Sequence, residues 1–303
     1  MDGNIKVLPE SDYLPEVIIN QGILEYNEGK QEEFQIKVSE LHETFENSFT
    51  STSISIDEVS VKKQKETERS KNHVEKAKRE YVRNTVIHAQ HGKDRYILNS
   101  LGIIQVLRTL TAFLLYNNLL IKGALVFFVD GARDLHAGIK KMFGWVPFKV
   151  ILDWYHLKEK CKMQLNLALE GREYRNLVLE KVISYLWIGK VGKAVEVLWQ
   201  VEEKSIKSVD AIEILIGYFD RNLSYIPCYA LRKKLGLRNS SNQGEKANDL
   251  TVSDRRKNNG MSWSDKGSTS LASVIALHQN NEHMNWVLNR TIDFMFIQNK
   301  KTA

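Results

Sequence analysis

A continuous apolar run, ALVFFV at residues 124–129, restricts the fold more than any other part of the chain. A strand with one wet face alternates apolar and polar residues, whereas a strand covered on both faces is apolar throughout. The run is therefore predicted to be a central β-strand in a sheet with helices on both faces. Asp130-Gly131 follows at once and indicates a turn into the next element.

Strands and helices are predicted on both sides of this run. Alternation and β-branched residues indicate strands, and His91-Gly92-Lys93 between two of them indicates a hairpin. The predicted strands are 52–59, 82–90, 94–99, 124–129 and 149–153. Helices are predicted at 102–121, at 132–143 and from about 156. Three strands followed by alternating helices and strands predict an α/β fold, a mixed sheet covered by helices.

A long helical stretch follows the last predicted strand. Between residues 157 and 236 the apolar side chains recur mostly three and four apart, which is typical of helices. A polar loop at 239–244 then precedes predicted helices at 245–258, 267–280 and 282–297. We predict a core formed by 51–156 and 237–303, interrupted by an all-α insertion at 157–236 and preceded by an N-terminal segment at 1–50.

The charge and the cysteines indicate which kind of partner and which cellular compartment to expect. The 43 Lys and Arg residues exceed the 37 Asp and Glu residues, and a net charge of +6 suits a polyanionic partner such as nucleic acid. Cys161 and Cys228 show no zinc-binding spacing and fit a reducing cytoplasm. The N-terminus has no signal-peptide pattern, and polar residues interrupt the apolar stretch 102–121, so we expect no membrane segment.

Three acidic residues stand where predicted elements begin or end. Asp57 is expected at the end of the first strand, and Asp130 ends the most hydrophobic strand. Glu245 opens a late helix, and Asp249 lies one turn further on the same face and competes for the same role. Each acid also has an ordinary interpretation: a solvated strand end for Asp57, a turn residue for Asp130 and a favourable helix-dipole charge for Glu245.

Further polar residues follow the last strand and the third acid. Asp153 is expected to cap the helix that carries His156, and a histidine on its own is more often structural than catalytic. The basic run Arg255, Arg256 and Lys257 is either a solvated face or a set of phosphate contacts.

The spacing of the three acids suggests a metal site. Adjacent strands in a sheet place their ends side by side, so carboxylates far apart in sequence can converge there. Hard oxygen ligands suit Mg²⁺, and two such ions about 3.5–4 Å apart can activate an attacking oxygen and stabilise a leaving one. Asp57, Asp130 and Glu245 are therefore the candidate metal-binding residues.

Five segments together resemble a known family. They are Ser55-Ile56-Asp57, residues 127–132, Asp153-x-x-His156, residues 239–250 and residues 245–265. They look like the Mutator-like DDE transposases of bacterial insertion sequences, and the resemblance covers about residues 50–285.

The resemblance implies a ribonuclease H-like core with a helical insertion before the last catalytic helix. It implies cleavage of element ends and strand transfer into target DNA with two Mg²⁺ or Mn²⁺ ions held by Asp57, Asp130 and Glu245. Asp153 and His156 are expected to support the site, and Trp263 to stack near the DNA. The resemblance also implies a homo-oligomer on DNA and a bacterial, nucleoid-associated cytoplasmic location.

Two alternative functions stay open on the sequence. A ribonuclease H-like nuclease that cuts without joining would use the same carboxylates. A truncated remnant that only binds DNA is the second alternative, because the 50 or so residues before the first strand look short and acidic for an end-binding domain.

Overall fold

The computed structural model describes residues 5–6, 46, 50–64, 80–120, 124–241 and 262–296. These residues fall into two compact units. One unit contains the described residues of 1–125, 137–148 and 243–303, and the other those of 126–136 and 149–242.

The described elements follow the predicted order of strands and helices. The strands are β1 (Ile5–Lys6), β2 (Thr52–Lys62), β3 (Tyr81–His91), β4 (Asp94–Leu101), β5 (Leu125–Val129), β6 (Phe148–Leu152) and β7 (Thr291–Ile292). The α-helices are α1 (Ile103–Tyr116), α2 (Arg133–Phe143), α3 (Trp154–Ala168), α4 (Arg172–Trp187), α5 (Val191–Trp199), α6 (Val209–Asn222), α7 (Tyr229–Lys234), α8 (Asp265–Gln279) and α9 (His283–Asn289).

Five of these strands form one mixed sheet in the order β4-β3-β2-β5-β6. The predicted hairpin is confirmed: β3 and β4 are antiparallel and joined by Gly92 and Lys93, with Gly92 at a φ of +57°. The predicted fold class, a mixed sheet with helices packed on it, is confirmed and is compatible with a ribonuclease H-like core.

The first long strand extends further than the sequence pattern indicated. β2 runs to Lys62, so the prediction that Asp57 ends this strand is wrong: Asp57 lies in its middle, opposite Val86 of β3. The reason is that alternation continues after Asp57. Val59 and Val61 are buried while Ser60 and Lys62 are exposed, so the strand continues to Lys62.

Helices cover both faces of β3 and β4 in the first unit. On one face Tyr96 stacks on Phe113 of α1, with ring centroids 4.5 Å apart. On the other face Ala276 of α8 packs in a cluster with Ile97, Val59, Val61, Val82 and Val86. The buried Asn84 Nδ2 donates to Ser268 Oγ at 2.9 Å and so ties α8 to β3.

The end of the described chain corrects another prediction. The helix predicted over 282–297 is in fact α9 followed by β7, which pairs antiparallel with β1. Arg290 takes a left-handed conformation, with a φ of +56°, and ends α9 there. The β-branched residues Thr291 and Ile292 then suit a strand.

A buried carboxyl holds this last segment against β4. Tyr96 Oη donates to Glu282 Oε2 at 2.6 Å, and the Phe294 N–H donates to Glu282 Oε1 at 2.9 Å. Burial raises the pKa of Glu282 to about 7, well above the usual value of 4.5, and the two hydrogen bonds oppose the shift. The folded state therefore favours the protonated carboxyl.

This carboxyl predicts a pH dependence of stability. The contribution of Glu282 is fully present below the unfolded-state pKa, near 4.5, and is lost as the pH rises through about 7. We expect about 3 kcal/mol less stability from this group at pH 8 than at pH 4. The measurement is urea unfolding of wild type and Glu282→Gln across that range. The difference between the two should shrink at low pH, and parallel curves would contradict the prediction.

The second unit surrounds β5 and β6 with helices. Side chains of β5 and β6, including Val126, Phe128 and Leu152, share one core cluster with α3 to α7. Between Asp153 and Ser241, a stretch that the structure describes throughout, no residue belongs to the five-stranded sheet. The boundaries of the predicted insertion, 157–236, stay a prediction.

Among the described residues, no helix is both long and apolar enough to cross a lipid bilayer.

Candidate functional site

Asp57 lies on a partly polar face of β2. Because side chains alternate along a strand, Asp57 shares this face with Ser53, Ser55 and Val59. The Asp57 side chain is half-buried, and its partner across the antiparallel ladder is Val86. The pairing with β3 thus fixes the backbone position of Asp57 in the interior of the strand.

Asp130 occupies the position directly after the buried strand. All five residues of β5 are buried, whereas Asp130 is exposed. Its Oδ1 atom accepts a hydrogen bond from the Ala132 N–H at 2.9 Å, an Asp turn that leads into α2. Within the part of the chain that the structure describes, no donor bonds to Oδ2, which leaves that oxygen available to a ligand.

Helix α6 packs beneath this turn. Tyr218 Oη donates to the carbonyl oxygen of Asp130 at 2.9 Å, and Asn222 Nδ2 donates to the Tyr218 carbonyl at 2.9 Å. Gly131 has a φ of +87°, and a Cβ there would lie 3.0 Å from Tyr218 Oη and 3.1 Å from Asn222 Nδ2. Only glycine fits this backbone conformation and this close approach.

His136, in the first turns of α2, lies near the same turn. The backbone N–H of His136 donates to the Ala132 carbonyl at 3.3 Å, and the imidazole ring stacks on Tyr225 with ring centroids 4.4 Å apart. Burial lowers the pKa of His136, against the opposing effect of the negative charge of Asp130. The neutral imidazole is therefore favoured at neutral pH.

Asp153 is the helix cap that the sequence predicts. It is fully buried, and its Oδ1 atom accepts from the N–H groups of Tyr155 and His156 at the start of α3. Its Oδ2 atom accepts from the Ser241 N–H, so the same carboxylate anchors the loop after α7. Backbone donors engage both carboxylate oxygens, so Asp153 joins the start of α3 to the loop at Ser241.

Replacing Asp153 by Asn is expected to destabilise the protein by about 2 kcal/mol, because hydrogen bonds to a buried charge are lost. The new amide keeps one acceptor oxygen for the cap but sets an NH₂ group against the Ser241 N–H. Urea unfolding measures the change. Ser208→Ala removes an ordinary cap, that of α6, and should cost only about 1 kcal/mol. Equal costs for the two variants would contradict the special role of Asp153.

The other predicted site residues lie in three different settings. His156 is half-buried in the first turn of α3, with its ring against that of Tyr155. Trp263 pairs with Lys63 in a parallel bridge and packs against the cluster that contains Val59 and Val61. That contact is structural, and the DNA stacking of Trp263 stays a prediction. Glu245, Asp249, Arg255, Arg256 and Lys257 lie outside the described residues.

The metal-binding role of Asp57, Asp130 and Glu245 stays a prediction. Among the described residues, no three His, Cys, Asp or Glu side chains cluster closely enough to hold a metal. Asp130 nevertheless offers an exposed carboxylate oxygen of the hard type that Mg²⁺ binds. The donor chemistry of Asp130 fits Mg²⁺, while Glu245 and Asp249 lie outside the described residues.

The sequence did not single out Tyr218, Asn222 or His136. Tyr218 and Asn222 lie one turn apart on a helix with apolar periodicity, where a tyrosine is most simply a packing residue. The one available signal was Gly131, because a glycine directly after a strand-ending aspartate indicates positive φ or a close neighbour.

Comparison with known proteins finds little. No protein-family model matches the chain, and no curated protein matches it. Among solved structures, the chain is similar to the Drosophila P element transposase strand transfer complex, with 11% sequence identity and a TM-score of 0.25. The similarity covers 96% of this chain and 84% of the other.

Proposed function

We propose that this chain is a DNA transposase of the DDE type, which cleaves DNA strands at element ends and joins them to target DNA. The observation that supports the proposal best is Asp130. Its carboxylate is exposed on a turn directly after the fully buried strand β5, and Tyr218 Oη donates a hydrogen bond to its backbone carbonyl. The sequence around it, residues 127–132, also carries the resemblance to Mutator-like transposases.

Each proposed ligand has its own part in the site. Asp57, Asp130 and Glu245 would hold two divalent ions, Mg²⁺ or Mn²⁺, and the ions would supply activation of the attacking oxygen and stabilisation of the leaving oxygen of a phosphodiester. Asp57 would contribute a carboxyl from the interior of β2, and Asp130 one from the turn after β5. Asp153 keeps the start of α3, and His156 with it, in place beside the loop at Ser241.

DNA is the proposed partner, and a homo-oligomer is the proposed working form on it. The net charge of +6 favours a polyanion, and Arg255, Arg256 and Lys257 are the proposed phosphate contacts. Each neutralised phosphate contributes about −0.9 to the slope of log K against log salt concentration for duplex DNA.

Replacing Arg255, Arg256 and Lys257 together by Ala should therefore make that slope shallower by about 2–3. Fluorescence anisotropy with a duplex oligonucleotide at several salt concentrations measures it. As a matched control, Lys158, Lys160 and Lys162 of α3 are replaced together by Ala, which removes the same charge elsewhere. An unchanged slope in the 255–257 variant, or the same change in both, would exclude this run as the contact.

The function itself is tested with the full chain, Mg²⁺ and duplexes taken from the DNA that flanks the gene. The proposal predicts cleaved ends and products joined to a second duplex. Cleaved ends without joined products would instead identify a nuclease. DNA binding without any cleavage, in both Mg²⁺ and Mn²⁺, would identify a remnant that only binds DNA.

A further inference from the structure

Helix α6 contacts the turn that carries Asp130 at the Asp130 carbonyl and at Gly131. Tyr218 Oη holds the Asp130 carbonyl, and the Tyr218 ring and Asn222 amide lie against Gly131. Downstream, the Ala132 N–H bonds to the Asp130 carboxylate, and the Ala132 carbonyl accepts from His136. The backbone on both sides of the Asp130 side chain is thus restrained.

Tyr218 is well suited to hold a carbonyl at this position. It is buried, and its hydroxyl donates to the Asp130 carbonyl oxygen at 2.9 Å. The Asn222 side chain bonds back to the Tyr218 carbonyl, which keeps the two side chains that face Gly131 together.

We propose that Tyr218 is a positioning residue for Asp130: by holding the Asp130 carbonyl it sets where the carboxylate meets its metal ion. This inference rests on the proposed function, because it assigns Asp130 a metal. It adds a role for helix α6, which orients the carboxylate of Asp130 through the Asp130 backbone carbonyl.

The test removes one hydroxyl with Tyr218→Phe. We expect kcat for strand cleavage to fall about three- to tenfold, the range for loss of one hydrogen bond. The half-saturating Mg²⁺ concentration should rise by a similar factor, while KM for DNA stays unchanged. Tyr174→Phe is the matched control, because Tyr174 Oη also bonds to a backbone group of the same unit, the Glu202 N–H, away from Asp130. It should leave kcat and the Mg²⁺ dependence unchanged.

A second readout does not depend on activity. Hydrogen–deuterium exchange of a peptide covering 128–136 should be faster in Tyr218→Phe than in wild type, and unchanged in Tyr174→Phe. If Tyr218→Phe matches wild type in kcat, Mg²⁺ dependence and exchange while Asp130→Asn is inactive, the inference is wrong and the proposed function stands. If wild type itself cleaves nothing, the proposed function fails, and the exchange result alone decides whether Tyr218 holds the turn.

Discussion

Replacing Asp130 by Asn is expected to abolish strand cleavage, with a rate about a thousandfold or more below that of wild type. Because the proposed ligands share the same ions, the loss of one ligand disables the whole metal site. The amide keeps the size of the side chain and an oxygen for the Ala132 N–H, so the turn should survive. It loses the negative charge that attracts a divalent ion. Single-turnover cleavage assays measure the rate, and DNA binding should be largely unchanged.

Matched variants make this prediction specific. Asp134→Asn removes an exposed acid from the first turn of α2, four residues away, and should retain wild-type cleavage. Asp57→Asn and Glu245→Gln should be as inactive as Asp130→Asn, and combining them should add no further loss. If Asp249→Asn is inactive while Glu245→Gln is active, the third ligand is Asp249. Retained activity in Asp130→Asn would remove the basis of the proposed site.

Replacing Gly131 by Ala is the second large expected effect, a loss of about 2–5 kcal/mol in the free energy of unfolding. Two costs combine. A residue with a side chain is strained at a φ of +87°, and the new Cβ would press on Tyr218 and Asn222. Because the side chains beneath are buried, they have little room to move. Urea unfolding followed by circular dichroism measures the change.

Gly171 provides the control for Gly131. It has a similar φ of +75°, but nothing lies within 4 Å of the position its Cβ would take. Gly171→Ala should therefore cost only the backbone strain, about 1–2 kcal/mol. Equal losses in the two variants would mean that the close packing of α6 on Gly131 contributes nothing.

The sequence predicts best the elements whose signals are local. The run at 124–129 indicates a buried strand because every residue in it is apolar, and β5 is buried throughout. Gly92 and Lys93 form the turn of the hairpin because glycine accepts a positive φ. Asp153 caps α3 because a short acidic side chain reaches the first free N–H groups of a helix. Asp130 follows its strand as predicted, since the end of an apolar run is visible in the sequence.

Features that depend on tertiary contacts were beyond the sequence. Lys62 has the charge expected of a loop, yet it lies in β2 because Val61 before it is buried. The helix predicted over 282–297 stops early, because Glu282 bonds to Tyr96 and Phe294 and Arg290 turns the chain back. Tyr218 is indistinguishable in sequence from a packing tyrosine, and only the folded chain brings its hydroxyl to Asp130.

Metal stoichiometry is the most direct measurement of the central claim. Mn²⁺ titrated into the DNA-bound protein can be counted by electron paramagnetic resonance. The account predicts about two ions per chain in wild type and in Asp134→Asn. It predicts fewer ions in Asp57→Asn, in Asp130→Asn and in Glu245→Gln. Equal Mn²⁺ binding by wild type and Asp130→Asn would contradict the assignment of this carboxylate to a catalytic metal site.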